Sequence, residues 1–175
     1  MSDKQQPNNM LKNMRPLPKE VEKRVVKLTE GSAKARKSAA RLAAVQVLYQ
    51  IDMSGQNTKD ALRDFINKRI GFELDGDVLV PADRDLLTLI VNGVCDKQVE
   101  IDDIVKGQLA KKEKDSIDPI LEAILKCGAY ELMAHHDIDA PIIISDYMNV
   151  VKAFYEDGAP TMVNAILDSI SNGLR

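Results

Sequence analysis

Tryptophan is absent from the 175-residue chain, and four tyrosines and three phenylalanines hold the aromatic share to 4%. The apolar residues, 45% of the whole, are mainly Leu, Ile, Val, Ala and Met, a mix suited to helix packing rather than to the core of a β-sandwich. There are only two cysteines, Cys95 and Cys127, with no metal-ligand spacing around either, so both read as buried free thiols of a reducing compartment. No apolar run approaches the ~18 residues of a membrane span, and the polar start Met1-Ser2-Asp3-Lys4 is no secretory signal. A cytoplasmic location is expected.

Catalytic signatures are missing too. No glycine loop follows a strand, so the nucleotide-binding fingerprints are absent. Asp75-Gly76-Asp77 lacks the later ligands of a calcium loop and reads as a turn. His135 and His136 are adjacent, so on a helix they diverge by roughly 100° and cannot share one metal from one face; they read as surface histidines near a helix end. Carboxylates occur singly on polar faces, and no His or Asn stands in a recognisable relation to either cysteine. The residues point away from an enzyme, and no metal or cofactor is expected.

Charge is present, unevenly. Residues 1–41 carry eleven Lys and Arg against four Asp and Glu, a charge of +7, while the other 134 residues carry thirteen against twenty-three, a charge of −10. A basic arm on an acidic body suits nucleic-acid binding, and equally a tail that only aids solubility. Residues 1–33 are polar, contain Pro7, Pro16 and Pro18, and read as a mostly disordered extension, with a marginal short helix around Val21, Val25 and Leu28.

From there the chain reads as all-α. The first firm helix runs from Ala33 to Met53, with Ser32 able to cap it and Ala40, Ala44, Val47 and Ile51 forming a buried stripe. A second spans about 59–70 through Leu62, Phe65 and Ile66. A third opens at Pro81 and carries Leu86, Leu89, Ile90 and Val94 inward, and a shorter piece covers about 101–110. Lys111-Lys112-Glu113-Lys114 reads as a charged connector between two halves. Asp118-Pro119 then opens the most buried helix, apolar on the faces of Ile120, Ile124, Cys127 and of Leu121, Leu125, Gly128, Leu132. Two more helices cover 141–155 and 160–172. Ile142-Ile143-Ile144 could start a strand, but Tyr147, Val150, Val151 and Phe154 continue it with helical spacing.

One stretch carries a binding signal. In Ala33-Lys34-Ala35-Arg36-Lys37-Ser38-Ala39-Ala40-Arg41, Lys34, Lys37 and Arg41 fall within about 60° of one another on a helix. Cations gathered on one face repel each other and can track successive phosphates, whose counterions they release. The alternative is a solvated helix face. Arg36 points elsewhere on an ideal helix but lies in the first turn.

Several blocks resemble the NusB family. Ala40-Arg41-Leu42-Ala43-Ala44-Val45-Gln46-Val47-Leu48-Tyr49-Gln50 is similar to that family's opening helix, in which basic residues precede Ala-Arg and then Ala-x-Gln-x-Leu-Tyr. Ala123-Ile124-Leu125-Lys126-Cys127-Gly128-Ala129-Tyr130-Glu131-Leu132 is similar to its Ile-Leu-Arg-x-x-x-Tyr-Glu-Leu segment, and Val163-Asn164-Ala165-Ile166-Leu167-Asp168 to its Val-Asn-Gly-Val-Leu-Asp block. The likeness spans about 34–173. Lys126 stands where the family has Arg, which keeps the charge and loses the fork. Met162 stands for a Phe that could stack on a base, Ala165 for a Gly, and Ser38 and Ala39 for residues often basic.

The resemblance implies an all-α fold of about seven helices in two packed halves of three or four. It implies a transcription antitermination factor that binds boxA-type single-stranded RNA together with the ribosomal protein NusE, within an RNA polymerase antitermination complex on ribosomal RNA operons. Its RNA-binding residues would be Lys34, Arg36, Lys37, Arg41, Lys126 and Asn164, with Asn164 otherwise bridging backbone groups between the last helices. Tyr49 and Glu122 would meet the protein partner, Tyr49 otherwise being a core-edge aromatic. A homodimer of the free protein stays open. The competing reading is a helical interaction module without RNA binding. An RNA cytosine methyltransferase fragment would need a strand–loop–helix unit that the chain lacks, and no segment reads as a DNA recognition helix.

Overall fold

A computed structural model describes residues 31–69, 73–74, 77–78, 80–109 and 117–175. Among these it has seven helices: α1 (Ala33–Ser54), α2 (Thr58–Arg69), α3 (Arg84–Asp96), α4 (Gln98–Gln108), α5 (Pro119–Ala134), α6 (Ala140–Phe154) and α7 (Ala159–Leu174). Two-residue strands β1 (Glu73–Leu74) and β2 (Asp77–Val78) pair antiparallel between α2 and α3, with Leu74 opposite Asp77. The expected extension over 1–33, short helix included, lies outside the described residues up to residue 30, and so do the Lys111–Lys114 connector and the Asp75-Gly76 turn.

Local chemistry sets the helix ends. Ser32 Oγ accepts from the Ala35 N–H at 3.1 Å and starts α1. Gly55 ends it at φ +67°, a left-handed conformation that costs glycine little, and donates its N–H to the Ile51 carbonyl at 2.9 Å. Asp118 accepts from the N–H groups of Ile120 and Leu121 at the start of α5, with Pro119 in the first turn. The expectation that α3 opens at Pro81 is corrected: Asp83 accepts from Asp85 and Leu86, so the cap, not the proline, fixes the start at Arg84. Residues 142–144 are helical, inside α6.

The first three helices pack together, as do α5, α6 and α7, and α5 touches α1, α3, α4, α6 and α7. Leu121 and every residue from Ala123 to Leu132 of α5 are buried. Side chains as large as Ile124, Leu125 and Leu132 each gain roughly 1.5–3 kcal/mol from such burial. Two glycines permit the close approach. The Tyr130 ring lies on the Gly93 backbone of α3, in the space a Cβ would fill, and Leu167 packs onto Gly128. Leu89, expected inward, is 49% exposed, and Leu87 is buried in its place. Of the two thiols, Cys127 is buried and Cys95 half-buried.

Two contacts give the directions of the long helices. Arg41 of α1 meets Glu131 of α5, while Tyr49 of α1 and Ile120 of α5 line one groove, so the two helices run antiparallel. The N-terminal end of α1 therefore lies by the C-terminal end of α5. Arg175 closes that end, donating to the carbonyls of Leu132 (2.9 Å), His135 (2.8 Å) and Ile138 (2.6 Å).

Candidate nucleic-acid interface

Lys34, Arg36 and Lys37 are exposed on the first turns of α1, and no carboxylate among the described residues pairs with any of them. Since α1 begins there, the three cations stand at an end of that helix.

Arg41 does not belong to that surface. It is 2% exposed, and its guanidinium donates to Glu131 through Nε (2.6 Å) and Nη2 (3.0 Å) and to Asp146 through Nη1 (2.6 Å). The expected phosphate contact at Arg41 is corrected: the fork clamps α1 to α5 and α6. Burial alone would raise the Glu131 carboxyl. The hydrogen bonds of His135, whose Nδ1 is 3.1 Å away, and of Arg41, together with the Arg41 charge, outweigh it and hold the carboxyl below its ordinary value. Burial and the nearby Glu131 carboxylate push the enclosed Tyr147 hydroxyl well up. His135 is thus half-buried and engaged, not the free surface residue expected; His136 is exposed.

Lys126 and Asn164 are not brought to the α1 end either. Lys126 is 9% exposed, and its Nζ lies 2.8 Å from Glu122 and 3.1 Å from Asp102, tying α5 to α4. Burial works to lower its pKa, but those two carboxylates more than offset it and raise the value. From Lys126 to Glu131 and from Arg41 back to Lys37 is about 13 Å of helix rise in all, which separates the two cations along the bundle. Asn164 donates to Asp168 at 2.9 Å on the outer side of α7. It sits eleven residues, about 16 Å of helix, before Arg175, and bridges no backbone groups. Ala165 is exposed, so the methyl group it carries separates no packed backbones; Met162 is half-buried.

At the other end of α1, Tyr49 is 36% exposed and lines an apolar groove of about 370 Å³ with Gln46, Met53, Ile120 and Phe154. Glu122 lines a smaller cavity of about 170 Å³ with Asp102, Lys106 and Lys126. Burial, then the balance of Lys126, Glu122 and Asp102, raises the Asp52 carboxyl, which places the end of α1 against that acidic cluster. Acidic residues stand at this end of α1 and α5: Asp52, Glu122, which is paired with Lys126, and Asp118, held below its ordinary value by the Tyr155 hydroxyl.

The NusB family pattern matches residues 38–172 of the chain. The chain belongs to the NusB family. Transcription antitermination protein NusB of Mesorhizobium japonicum is 39% identical over 141 residues, 80% of this chain and 91% of that protein. The NusB of Rhodopseudomonas palustris strain BisB18 is 40% identical over 148 residues, covering 83% and 88% of the two chains. Among solved structures, T. maritima NusB superposes with a TM-score of 0.64 at 21% identity, over 78% of this chain and 90% of its own. A chain from the crystal structure of antitermination factors NusB and NusE in complex with dsRNA gives 0.66 at 22% identity, over 81% and 99%. The expected all-α NusB fold of about seven helices is thereby borne out. Lys34, Arg36 and Lys37 precede the NusB-matched region, whereas Arg41, Tyr49, Glu122, Lys126 and Asn164 lie within it.

Arg41 could be read from sequence as a cation of α1, but its partners could not. Glu131 and Asp146 lie 90 and 105 residues away, and an Arg at helical spacing with two lysines carries no mark of burial. The one available signal was that Arg41 directly follows Ala40, the first residue of the buried apolar stripe.

Proposed function

We propose that this NusB-family chain is a cytoplasmic antitermination factor that binds boxA-type single-stranded RNA at the N-terminal end of α1 through Lys34, Arg36 and Lys37. It binds together with the ribosomal protein NusE, inside an RNA polymerase antitermination complex that keeps transcription of ribosomal RNA operons processive. The observation that carries the reading is the set of three exposed cations without carboxylate partners among the described residues, on a chain whose remainder is acidic. The structural neighbour crystallised with NusE and dsRNA supports both classes of partner. Arg41 serves the site by holding α1 in place, and Lys126 and Asn164 have no part in it.

NusE, as a basic partner, suits the other end. Tyr49 and the apolar groove can take an apolar side chain, while the acidic residues at that end of α1 and α5, Asp52, Asp118 and the Lys126-paired Glu122, attract positive charge. RNA and protein then occupy opposite ends of α1, each facing charge of the opposite sign. The test is fluorescence anisotropy with labelled boxA-type single-stranded RNA, a duplex of the same sequence as second arm, and NusE present or absent. Replacing Lys34, Arg36 and Lys37 together by Ala should flatten the slope of log affinity against log salt by about 2, roughly 0.7 per phosphate contact. Unchanged single-strand affinity in a variant with a native circular dichroism spectrum overturns the RNA assignment; preferential loss of duplex binding overturns the single-strand part. Calorimetric titration of Tyr49→Asp and Glu122→Lys against NusE tests the partner face, and unchanged affinity in both removes it.

A further inference from the structure

The segment that leads into α3 runs alongside the start of α1. Val80 lies against Gly31, where an added Cβ would come within 2.6 Å of Val80 Cγ1. Three residues on, the Asp83 N–H donates to the Arg36 carbonyl at 3.0 Å. Two fixed points, at Gly31 and at Arg36, thus lay residues 80–83 along the first turns of α1. The next residue is Arg84. From the hydrogen bond and standard backbone dimensions its Cα lies within about 8 Å of the Arg36 carbonyl, well inside the span of two arginine side chains.

Arg84 is exposed, and no carboxylate among the described residues pairs with it. Nor does its own helix favour it. A cation in the first turn faces the positive end of the helix dipole, where acidic residues are stabilising and basic ones are not. Two N–H groups of that end, those of Asp85 and Leu86, are already taken by the Asp83 carboxylate, so the helix terminus is a poor anion site by itself. Asp85, one residue further, is turned about 100° away around the axis and does not pair with Arg84. A guanidinium without a carboxylate partner among the described residues, carried on backbone docked against the Arg36 carbonyl and set against the preference of its own helix, has a ready use in the charge of a bound ligand.

We propose that Arg84 is a fourth cation of the RNA-binding end, gripping a phosphate from the α3 side so that the strand crosses the seam between α1 and α3. The inference rests on the RNA reading given above. It changes the geometry of the site from a stripe along one helix to a cleft with two walls, and a fork that can hold two oxygens of one phosphate fixes the strand's path better than a point charge does.

Arg84→Ala, Lys152→Ala and the Lys34/Arg36/Lys37 triple Ala variant separate the possibilities, with labelled boxA-type single-stranded RNA as the probe. Lys152, exposed in the last turn of α6 at the opposite end, controls for net charge. Losing one phosphate contact should flatten the salt slope by about 0.7 and weaken binding about fourfold at 0.15 M salt. Arg84→Glu should weaken it further, with melting temperatures unchanged or slightly raised, because the residue is exposed and disfavoured by its helix. If Arg84→Ala binds as Lys152→Ala does while the triple variant loses its slope, Arg84 has no place in the site and the RNA reading survives. If the triple variant also keeps its slope, both fall.

Discussion

Removing the guanidinium of Arg41 separates the buried role from the surface role that its position on α1 suggests. Arg41→Ala leaves Glu131 and Asp146, whose side chains are 0% and 8% exposed, without their counter-charge. Breaking a buried pair from one side costs about 3–5 kcal/mol, because the surviving charge stays desolvated. For a chain of this size that lowers the melting temperature by about 6–20 °C. The loss depends on pH with a definite sign. With the cation gone, the burial that works to raise the Glu131 carboxyl loses the Arg41 share of its offset, so the stability that Glu131 contributes as a carboxylate shrinks, and the variant's deficit against the parent narrows in acid. Replacing all three groups by neutral ones, Arg41→Met with Glu131→Gln and Asp146→Asn, should recover most of the stability, since no unpaired charge remains buried. Urea unfolding followed by circular dichroism at neutral and acid pH measures all of this. A deficit under about 1 kcal/mol at neutral pH, or one that grows in acid, refutes the buried clamp. A folded Arg41→Ala fraction whose RNA salt slope has flattened by about 0.7 would return Arg41 to the RNA surface.

Gly93→Ala should destabilise by about 1–3 kcal/mol, because its methyl group would occupy the space of the Tyr130 ring. Gly107→Ala, on α4 with nothing within 4 Å, should be neutral or gain up to about 1 kcal/mol, and thermal melts that rank the two equally would contradict the packing. Glu131, held below its ordinary value near 4.5, contributes stability that is complete above that value and lost as pH falls through its folded value. The parent's urea midpoint should drop in that acid range, and in Glu131→Gln this part of the drop should vanish; an identical acid limb in both proteins would remove Glu131 as its cause.

Much of the architecture was legible because its causes are local. Helical spacing of apolar residues, Ser32 ahead of α1, and Asp118-Pro119 ahead of α5 each act within a turn or two, so reading neighbours sufficed. Where two local signals competed, as at Pro81 and Asp83, the carboxylate that satisfies free N–H groups set the boundary. Cys127, Leu125 and Leu132 were legible as buried for the same reason, since a helix apolar on two faces has no other place than the centre.

The site divides differently. That α1 starts with exposed cations follows from its own sequence, because charge and 3.6-residue spacing are properties of the helix alone. Which of those cations stay in water is a matter of what packs against the helix. Arg41 is drawn inside by Glu131 and Asp146, partners that the chain brings close only after folding, and Lys126, which Glu122 reaches along the same helix, is tied to α4 by Asp102. Arg84 stands beside Arg36 only because a backbone hydrogen bond docks the start of α3 on α1. Periodicity determines the face on which a side chain lies, but a charge 90 or 105 residues away in sequence determines whether it is spent inside or offered to a ligand, and only the tertiary structure brings such charges together.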